Sequence, residues 1–408
     1  MEGDNLHYRG VDSPTMDTLS EGGRRARSRS PSFLPPEEEP DSDMEVDAQP
    51  PPWQQVVDKK VLKRLKGKEI KRQEFIHELI HTERTHVRNL KVLNKVFYRP
   101  MMKMNVMSRQ YINQLFPNLD ALIKIHVSLM KSMMKRREES EEVIVCIGDV
   151  MLERFDGEPG EMAKDACAEF CNHQKFALEQ LKNRQRKDPK LQQFINNCEN
   201  DPLCRRLRLQ DIISSSYQRL TKYPLLLEGI QKNTPNSHSD GKNIERAIQC
   251  TKDLLAFVNQ SVKDCEDRQR LADFQRKIDR RPLENTNNKM MEEFKNLDLT
   301  TKKLVYDGPL TWRISRTKSI DLHVLLLEDL LILLQRQDDK LVLKCLSTTF
   351  SAGYQDVKTT HSPIIKLSSV LTRNVATDKR AFFLVSTSSS VGPQIYELVT
   401  ATVMDRKK

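Results

Sequence analysis

The sequence predicts a multidomain α and β protein, in which an elongated all-α helical bundle is followed by a small antiparallel β-barrel. The first indication is length, because 408 residues can form two or three domains. The second is that only 13 residues are glycine and that apolar residues recur at helical spacing from about residue 56 to 285. The third is a change, after about residue 290, to short alternating or β-branched segments separated by turns such as "QDDK". About six such strands in succession are typical of a small barrel or sandwich.

The N-terminal segment, residues 1–52, is rich in Pro, Ser, Arg and Glu, and this composition predicts a disordered tail. Within it, "RRARSRSPS" is basic and "EEEPDSDMEVD", residues 37–47, is acidic. Because the helical domain downstream is basic, we expect the acidic segment to dock on it and restrain it. The alternative is a solvated tail. A short N-terminal extension, residues 53–67, leads from the tail to the first long helix.

The helical domain is predicted over residues 68–265. Its first helix should span about 68–97 and end before Pro100, because proline disrupts a helix interior. A second break is expected at Pro117. At Pro224 the apolar spacing continues across the proline, which predicts a kinked helix rather than two helices.

The segment from about 243 to 281 predicts one long helix that leaves the bundle, so that residues 266–299 form a connecting helix and linker. The β domain is predicted over 300–408. Its most apolar run, "VLLLEDLLILL", is too short to span a bilayer and carries two acidic residues.

The formal net charge of +10 predicts an acidic partner, which could be an acidic protein face, anionic lipid or nucleic acid. The sequence contains no nucleic-acid-binding motif and no aromatic residues among its basic runs, so nucleic acid ranks last. Eight cysteines show no zinc-type pairing, which favours reduced thiols and a cytoplasmic location.

Residues 77–81, "HELIH", match the H-E-x-x-H pattern, in which two histidines bind zinc and the glutamate serves as a base. Catalytic zinc needs a third protein ligand. The metzincin extension of the motif would require Gly and His where the chain has Arg84 and Val87. After Glu83 there is no acidic residue before Asp120, and seven cations lie between them. The pattern therefore indicates two histidines on an amphipathic helix rather than a metal site, and the central glutamate needs another explanation.

Two stretches, "HELIHTERTHVRNLKVL" and "QRLTKYPLLL", resemble the first and third signature regions of the Dbl-homology (DH) domain. The segment "YDGPLTWRI" resembles the start of the pleckstrin-homology (PH) domain that follows it in that family. "PLCRRLRLQDII", "FVNQSVKDCEDRQRL" and "FKNLDLTTKKLV" are similar to the RGS-box RhoGEF subgroup. The resemblance covers about residues 53 to 400, with its motifs in the family's order.

The resemblance implies a guanine-nucleotide exchange factor that acts by binding and needs no cofactor or metal. Its implied partner is a Rho-family GTPase, with RhoA favoured. Glu78 corresponds to the family's switch-I glutamate, and Lys222 and Asn259 correspond to its switch-II contacts. Gln218 is expected at the same interface. Arg270 lies about three helical turns beyond Asn259 and should share its face.

Arg205 and Arg206 match subgroup arginines that pair with acidic residues of Rho, which implies a role in specificity. For these residues, as for those above, the alternative is an ordinary solvated side chain.

In the β domain, Phe383 and Val385 alternate with Leu384 and so point to one face. The resemblance implies that they form an apolar patch for activated Rho, and the alternative is that they belong to the barrel core. Three basic residues near the first turn of this domain could meet phosphoinositide phosphates and recruit the protein to the membrane: Arg313, Arg316 and Lys318.

The sequence departs from the family in three ways. "SSSY", residues 214–217, replaces the usual Pro-x-x-Met, and serines weaken a helix interior, so reduced local stability is expected. The helix that normally closes a PH barrel is not encoded before Lys408, so an incomplete barrel is expected. No RGS-box sequence precedes the helical domain, which leaves upstream G-protein input open. These departures leave an inactive scaffold as the rival function, with a zinc hydrolase as a more distant one.

Overall fold

The computed structural model describes residues 42–284, 292, 294–315, 317–337, 340–352, 355–387 and 392–407. Residues 1–41 of the predicted tail lie outside the described residues. Along the described part of the chain, no helix is both long enough and apolar enough to cross a bilayer.

Helices make up the first two thirds of the described chain. Two short helices lie in the N-terminal extension, and two more lie near the β domain. The helices are α1 (Trp53–Val56), α2 (Lys59–Arg64), α3 (Gly67–Val92), α4 (Arg99–Met104), α5 (Arg109–Leu115), α6 (Leu119–Glu139), α7 (Gly148–Phe155), α8 (Gly157–Asn172), α9 (Gln174–Gln185), α10 (Pro189–Glu199), α11 (Leu209–Asn233), α12 (Gly241–Lys277), α13 (Arg281–Glu284) and α14 (Val403–Arg406).

Prolines shape these helices in two different ways. The predicted end before Pro100 is wrong, because the helical path continues from α3 through a π-helical segment, Leu93–Tyr98, into α4. Pro100 lies in the first turn of α4, and proline is tolerated there because its missing N–H is not needed. The break at Pro117 is confirmed, since α5 ends at Leu115 and α6 begins at Leu119. Pro224 lies inside a continuous α11.

The helical core is built around α3 and α11, which pack along each other. Gly229 of α11 faces the Phe75 ring of α3, and a Cβ on residue 229 would lie only 2.5 Å from that ring. The helices α6, α7, α8 and α12 pack around this pair and bury a continuous apolar cluster, which includes Leu79, Leu90 and Leu227. Ser214 and Ser215 donate to backbone carbonyls of their own helix, so the "SSSY" segment is regular helix.

The described strands of the β domain are β1 (Ile278–Asp279), β2 (Leu304–Arg313), β3 (Ser319–Leu327), β4 (Leu330–Gln337), β5 (Lys340–Val342), β6 (Leu346–Ala352), β7 (Gln355–His361), β8 (Ile364–Lys366), β9 (Val370–Asn374), β10 (Ala381–Ser386) and β11 (Gln394–Thr400). Within the described residues, nine of them form one sheet in the order β1-β5-β4-β3-β2-β11-β10-β9, with β8 paired to β4. The sheet is antiparallel except that β1 pairs with β5 in parallel. Strands β6 and β7 form a separate hairpin.

The long helix α12 passes from the bundle to the β domain without a break, so the expected boundary at residue 265 falls inside it. Leu271, near its end, is buried with Leu325 and Ile332 of the sheet. A second apolar cluster around Trp312 and Tyr396 fills the rest of the β domain. After β11 the described chain forms a single helical turn, α14.

Residues 43–53 follow the surface of α3. Val46 and Trp53 are buried, and Trp53 lines a groove of about 100 Å³ together with Ile76 and Ile80. The Asp43 carboxylate accepts from the Lys91 ammonium at 2.6 Å, and Arg88 donates to the Met44 carbonyl at 3.1 Å. The end of the acidic segment therefore lies on the basic face of the helical domain.

Candidate functional site

A buried polar cluster fixes α3 against α11. The carboxylate of Glu83, on α3, accepts from Arg219 Nε at 2.8 Å and from the Tyr223 hydroxyl at 2.6 Å, both on α11. Its other oxygen lies 2.8 Å from His126 Nδ1 on α6. Arg219 also donates to the Thr82 hydroxyl and to a backbone carbonyl of α3. These bonds define how the two helices are placed along each other.

The electrostatics of the cluster favour its charged form. Burial alone would raise the pKa of the Glu83 carboxyl, but Arg219 and His126 hold it well below its usual range. Burial raises the pKa of the Tyr223 hydroxyl, which stays neutral and donates. His86 stacks edge-on against His126 with ring centroids 4.3 Å apart, and burial lowers its pKa well below the ordinary value. The Glu83–Arg219 ion pair is therefore buried together with the neutral Tyr223 hydroxyl and the rings of His126 and His86.

On the surface just outside this cluster, Glu78 of α3 lies beside Lys222 of α11. The carboxylate Oε1 and the ammonium Nζ are 3.9 Å apart, and both side chains are about half exposed. Glu78 lies five residues before Glu83 and Lys222 three residues after Arg219, so the buried cluster sets where this surface pair lies. An exposed pair at this distance contributes little to stability.

Asn259 of α12 extends this surface. Its side chain is exposed, and its Oδ1 accepts from the Tyr217 hydroxyl of α11 at 2.6 Å. Gln218, next to Tyr217, is also exposed. The structure thus brings Glu78 of α3 and Lys222 of α11 together. Gln218 lies about one turn before Lys222 on α11, and Asn259 lies on α12, which packs against α11.

Arg205 and Arg206 are exposed on the loop before α11. Both have left-handed backbone, with φ of 48° and 66°. Consecutive left-handed residues other than glycine are unfavourable, so the surrounding structure must hold this loop. Arg205 donates to the carbonyl of Val46, within the docked N-terminal segment. The neighbouring Arg88 donates to the Leu203 carbonyl at 2.7 Å.

Arg270 lies at the β-domain end of α12. It forms an ion pair with Asp307 of β2, with Nε 2.9 Å from Oδ1, and donates to the second oxygen at 3.0 Å. Its guanidinium therefore connects the long helix to the β domain in this structure, and its predicted contact with a partner stays a prediction.

In the β domain, β10 has an inner and an outer face. Leu384 and Phe382 belong to the core, whereas Phe383, on the outer face, is 37% exposed. Val385 is half-buried and lies opposite Leu371 of β9 and Ile395 of β11, both of which are more exposed than Phe383. These four side chains form an outer apolar patch, so Phe383 and Val385 lie outside the barrel core.

Arg313, the first of the three predicted phosphoinositide residues, already contacts two carboxylates. Arg313 forms ion pairs with Asp378 at 3.1 Å and Glu397 at 2.5 Å, which neutralise its charge. Lys318 is exposed, and Arg316 lies outside the described residues. A lipid phosphate would have to compete with two carboxylates for Arg313, and lipid binding stays a prediction.

The two histidines of "HELIH" have different surroundings. His77 lines the same groove as Trp53, and burial lowers the pKa of its imidazole. His81 Nε2 lies 3.4 Å from the hydroxyl of Thr85. In the part of the chain that the structure describes, no group of three or more His, Cys, Asp or Glu side chains is placed to hold a metal ion.

The chain matches two family models, the RhoGEF domain over residues 75–259 and a PH domain over 288–408. It is similar to a solved structure of the PDZ-RhoGEF DH/PH domains in complex with GTP-gamma-S activated RhoA, with 49% identity and a TM-score of 0.81 over 88% of this chain and 96% of that one. The chain belongs to the RhoGEF family. It is also 48% identical to Rho guanine nucleotide exchange factor 11 of Homo sapiens, over 98% of this chain and 27% of that protein.

A second solved structure, human RhoA in complex with a DH/PH fragment of PDZ-RhoGEF, is 48% identical with a TM-score of 0.79 over 88% of this chain and 96% of that one. The chain spans about a quarter of the length of the curated relative named above. The matched RhoGEF segment contains Glu78, Lys222 and Asn259, and Asn259 is its last residue.

The sequence analysis did not predict the buried cluster of Glu83, Arg219 and Tyr223. Glu83 interrupts the apolar stripe of its helix, and such an interruption is a signal of a buried polar contact, although the sequence does not say with what. Arg219 and Tyr223 lie four residues apart within "QRLTKY" and so share one helix face, but nothing in the sequence pairs that face with Glu83.

Proposed function

We propose that this protein is a guanine-nucleotide exchange factor for a Rho-family GTPase, with RhoA favoured. The observation that carries this proposal is the exposed Glu78–Lys222 pair, held in place by the buried Glu83–Arg219 bridge at the positions the resemblance assigns to GTPase contacts. The similarity to DH/PH modules solved in complex with RhoA supports it.

The proposed mechanism is differential binding. A small GTPase holds its nucleotide through phosphate contacts, Mg²⁺ and two switch loops. A protein that binds the nucleotide-free state more tightly than the loaded state releases the nucleotide by thermodynamic linkage. The Glu78 carboxylate would bind switch I, while Lys222, Gln218 and Asn259 would hold switch II. No covalent chemistry is required.

A nucleotide-release assay tests this proposal. The purified protein is added to RhoA, Rac- and Cdc-type GTPases loaded with a fluorescent GDP analogue, and the rate of fluorescence loss is measured. Acceleration on RhoA supports the proposal. The inactive-scaffold alternative predicts binding without acceleration on every GTPase of the panel.

Arg205 and Arg206 are proposed to set the preference for RhoA through acidic residues of that GTPase. In protein that lacks residues 1–50, where the docked segment no longer contacts Arg205, reversing both to Glu should lower the association rate with RhoA and weaken its dependence on salt, because charges at the edge of an interface act mainly on encounter. Stopped-flow association at several ionic strengths measures this effect. Equal exchange on Rac by the unmodified protein would contradict the specificity assignment.

The docked N-terminal segment is proposed to restrain exchange, since it occupies Arg205. The sequence analysis attributed docking to the acidic charge of the segment, and the observed contacts add backbone hydrogen bonds and apolar burial. Arg88 and Arg205 donate to backbone carbonyls, and Val46 is 2% exposed, whereas the Glu45 and Asp47 side chains are exposed. Apolar burial and carbonyl contacts therefore hold the segment along with its charges, and salt should weaken the docking only in part.

Deleting residues 1–50 should raise the exchange rate at low ionic strength, and part of the increase should persist at high salt. Val46→Asp should have a similar effect, because burying a valine stabilises docking by about 1.5–3 kcal/mol and an aspartate cannot replace it. Gln49→Ala is the matched control and should leave exchange unchanged, since Gln49 is exposed, uncharged and three residues from Val46. If the deletion leaves exchange unchanged at every salt concentration, the segment has no restraining role.

The outer apolar patch of the β domain is proposed to bind GTP-loaded Rho, as a second contact separate from exchange. Its support is the exposure of Phe383 beside Leu371 and Ile395. Phe383→Asp should weaken binding to GTP-loaded RhoA, measured by interferometry, and leave nucleotide release from free RhoA in solution unchanged. Unaltered binding would contradict the patch assignment.

A further inference from the structure

The hydroxyl of Tyr217 reaches across from α11 to α12 and donates to Oδ1 of Asn259 at 2.6 Å. Ser214 and Ser215, which precede it, instead donate to carbonyls of their own helix. Tyr217 is 36% exposed, and Asn259 is exposed as well, so the bond lies on the surface rather than in the core. Tyr217 is also the residue immediately before Gln218, on the face that carries the proposed GTPase contacts.

The bond has a defined effect on the asparagine amide. An asparagine side chain offers one carbonyl acceptor and one NH₂ group with two donors. When the tyrosine hydroxyl donates to Oδ1, the amide is fixed about its terminal torsion and both N–H groups of Nδ2 are left for acceptors of a partner. An exposed asparagine without this bond would rotate freely, and binding would have to order it.

We propose that Tyr217 is a positioning residue for nucleotide exchange, which acts by orienting the Asn259 amide toward the GTPase. The inference rests on the proposed function, in which Asn259 contacts switch II. It assigns a role to a residue in the "SSSY" segment, where the sequence alone indicated only a weakened helix. The ligand chemistry is a hydrogen-bond acceptor of the GTPase, such as a backbone carbonyl or a carboxylate.

The hydrogen bond between Tyr217 and Asn259 should contribute little to the folding stability of the protein. A hydrogen bond between two exposed groups replaces bonds to water, so its net contribution to folding is small. Tyr217→Phe removes the hydroxyl and keeps the ring, and it should leave the thermal transition of the protein unchanged. Ser214→Ala is the matched control, because it removes a hydroxyl from the same helix one turn earlier, where the bond stays within the helix.

The test is a double-mutant cycle with RhoA exchange as its readout. Tyr217→Phe should lower kcat/KM for exchange by about two- to tenfold, the effect of losing one neutral hydrogen bond. In the Asn259→Ala background the same substitution should have no further effect, since Tyr217 acts through Asn259. Ser214→Ala should exchange at the wild-type rate. An equal loss from Tyr217→Phe in both backgrounds, or no loss in either, would overturn the proposal.

A spectroscopic readout tests the same bond in the free protein. In ¹⁵N-asparagine-labelled protein, the side-chain NH₂ signals of Asn259 are assigned by their loss in Asn259→Ala. Tyr217→Phe should shift them toward the values of a solvated amide, and Ser214→Ala should leave them in place. Unshifted signals would show that no bond orients the amide, which overturns the inference even if exchange is active.

If wild-type protein does not accelerate exchange at all, the proposed function fails and the inference fails with it. If wild-type is active but Asn259→Ala exchanges normally, the function stands and only the Tyr217–Asn259 role is lost.

Discussion

Glu78→Ala should abolish most nucleotide exchange on RhoA and leave the helical domain folded. The carboxylate is about half exposed and 3.9 Å from Lys222, so the free protein loses only a weak surface pair. In the complex, the same carboxylate would be desolvated against switch I. Losing a charge-assisted contact there should cost about 2–5 kcal/mol, or tens- to thousands-fold in exchange. The measurement is fluorescent-nucleotide release from RhoA, with circular dichroism to confirm the fold.

The neighbouring histidines are the controls for this prediction. His77→Ala and His81→Ala should reduce exchange far less, because His77 lines the same groove as Trp53 and His81 lies by Thr85 of its own helix. Chelators should act only by removing Mg²⁺ from the GTPase. A zinc hydrolase would require both histidines as much as the glutamate, so a comparable loss from either histidine would disprove the role assigned to Glu78.

Much of the fold follows from local patterns. The long helix α12 and the break at Pro117 were predictable, because continuous 3.6-residue periodicity and an isolated proline act within a few residues of sequence. The passage through Pro100 was not predictable, since it depends on a π-helical segment that adjusts the backbone just before the proline. The acidic segment, residues 37–47, was expected to dock through its charge. In its described part, residues 43–47, backbone carbonyls also make contacts, and these carry no sequence signal.

The candidate site, like the fold, has features that the sequence predicted and features that it did not. Glu78 was predicted because it matches a family position, and the structure places Lys222 next to it, while its contact with a GTPase stays a prediction. The contacts of Arg270 with Asp307, and of Arg313 with Asp378 and Glu397, could not be predicted, because each joins segments far apart in sequence. A lone basic residue in a sequence does not reveal whether a carboxylate already neutralises it.

The buried bridge between Glu83 and Arg219 connects the fold to the site. The bridge fixes α3 and α11, the two helices that carry Glu78 and Lys222. Helix propensity alone would not define how these two helices are placed along each other. Buried ion pairs add little net stability compared with apolar packing, but they are satisfied in one arrangement only. We infer that the bridge is used here for placement, so that Glu78 and Lys222 meet a GTPase at a fixed spacing.

Glu83→Ala should therefore be among the most destabilising substitutions in the helical domain. It leaves the Arg219 guanidinium, the Tyr223 hydroxyl and His126 without their shared acceptor in a buried site. Removing one partner of a buried pair costs about 3–5 kcal/mol, which corresponds to a fall of very roughly 6–20 °C in the unfolding transition for a domain of this size. Thermal unfolding followed by circular dichroism measures it.

Two comparisons make that prediction specific. Glu78→Ala, which removes an exposed carboxylate from the same helix, should leave the transition almost unchanged. Glu83→Leu combined with Arg219→Met removes both charges together and should recover much of the lost stability, because no uncompensated charge is then buried. Its exchange on RhoA should still fall below wild type, since the apolar pair no longer fixes the spacing of Glu78 and Lys222. If Glu83→Ala unfolds at the same temperature as Glu78→Ala, the bridge does not hold the two helices.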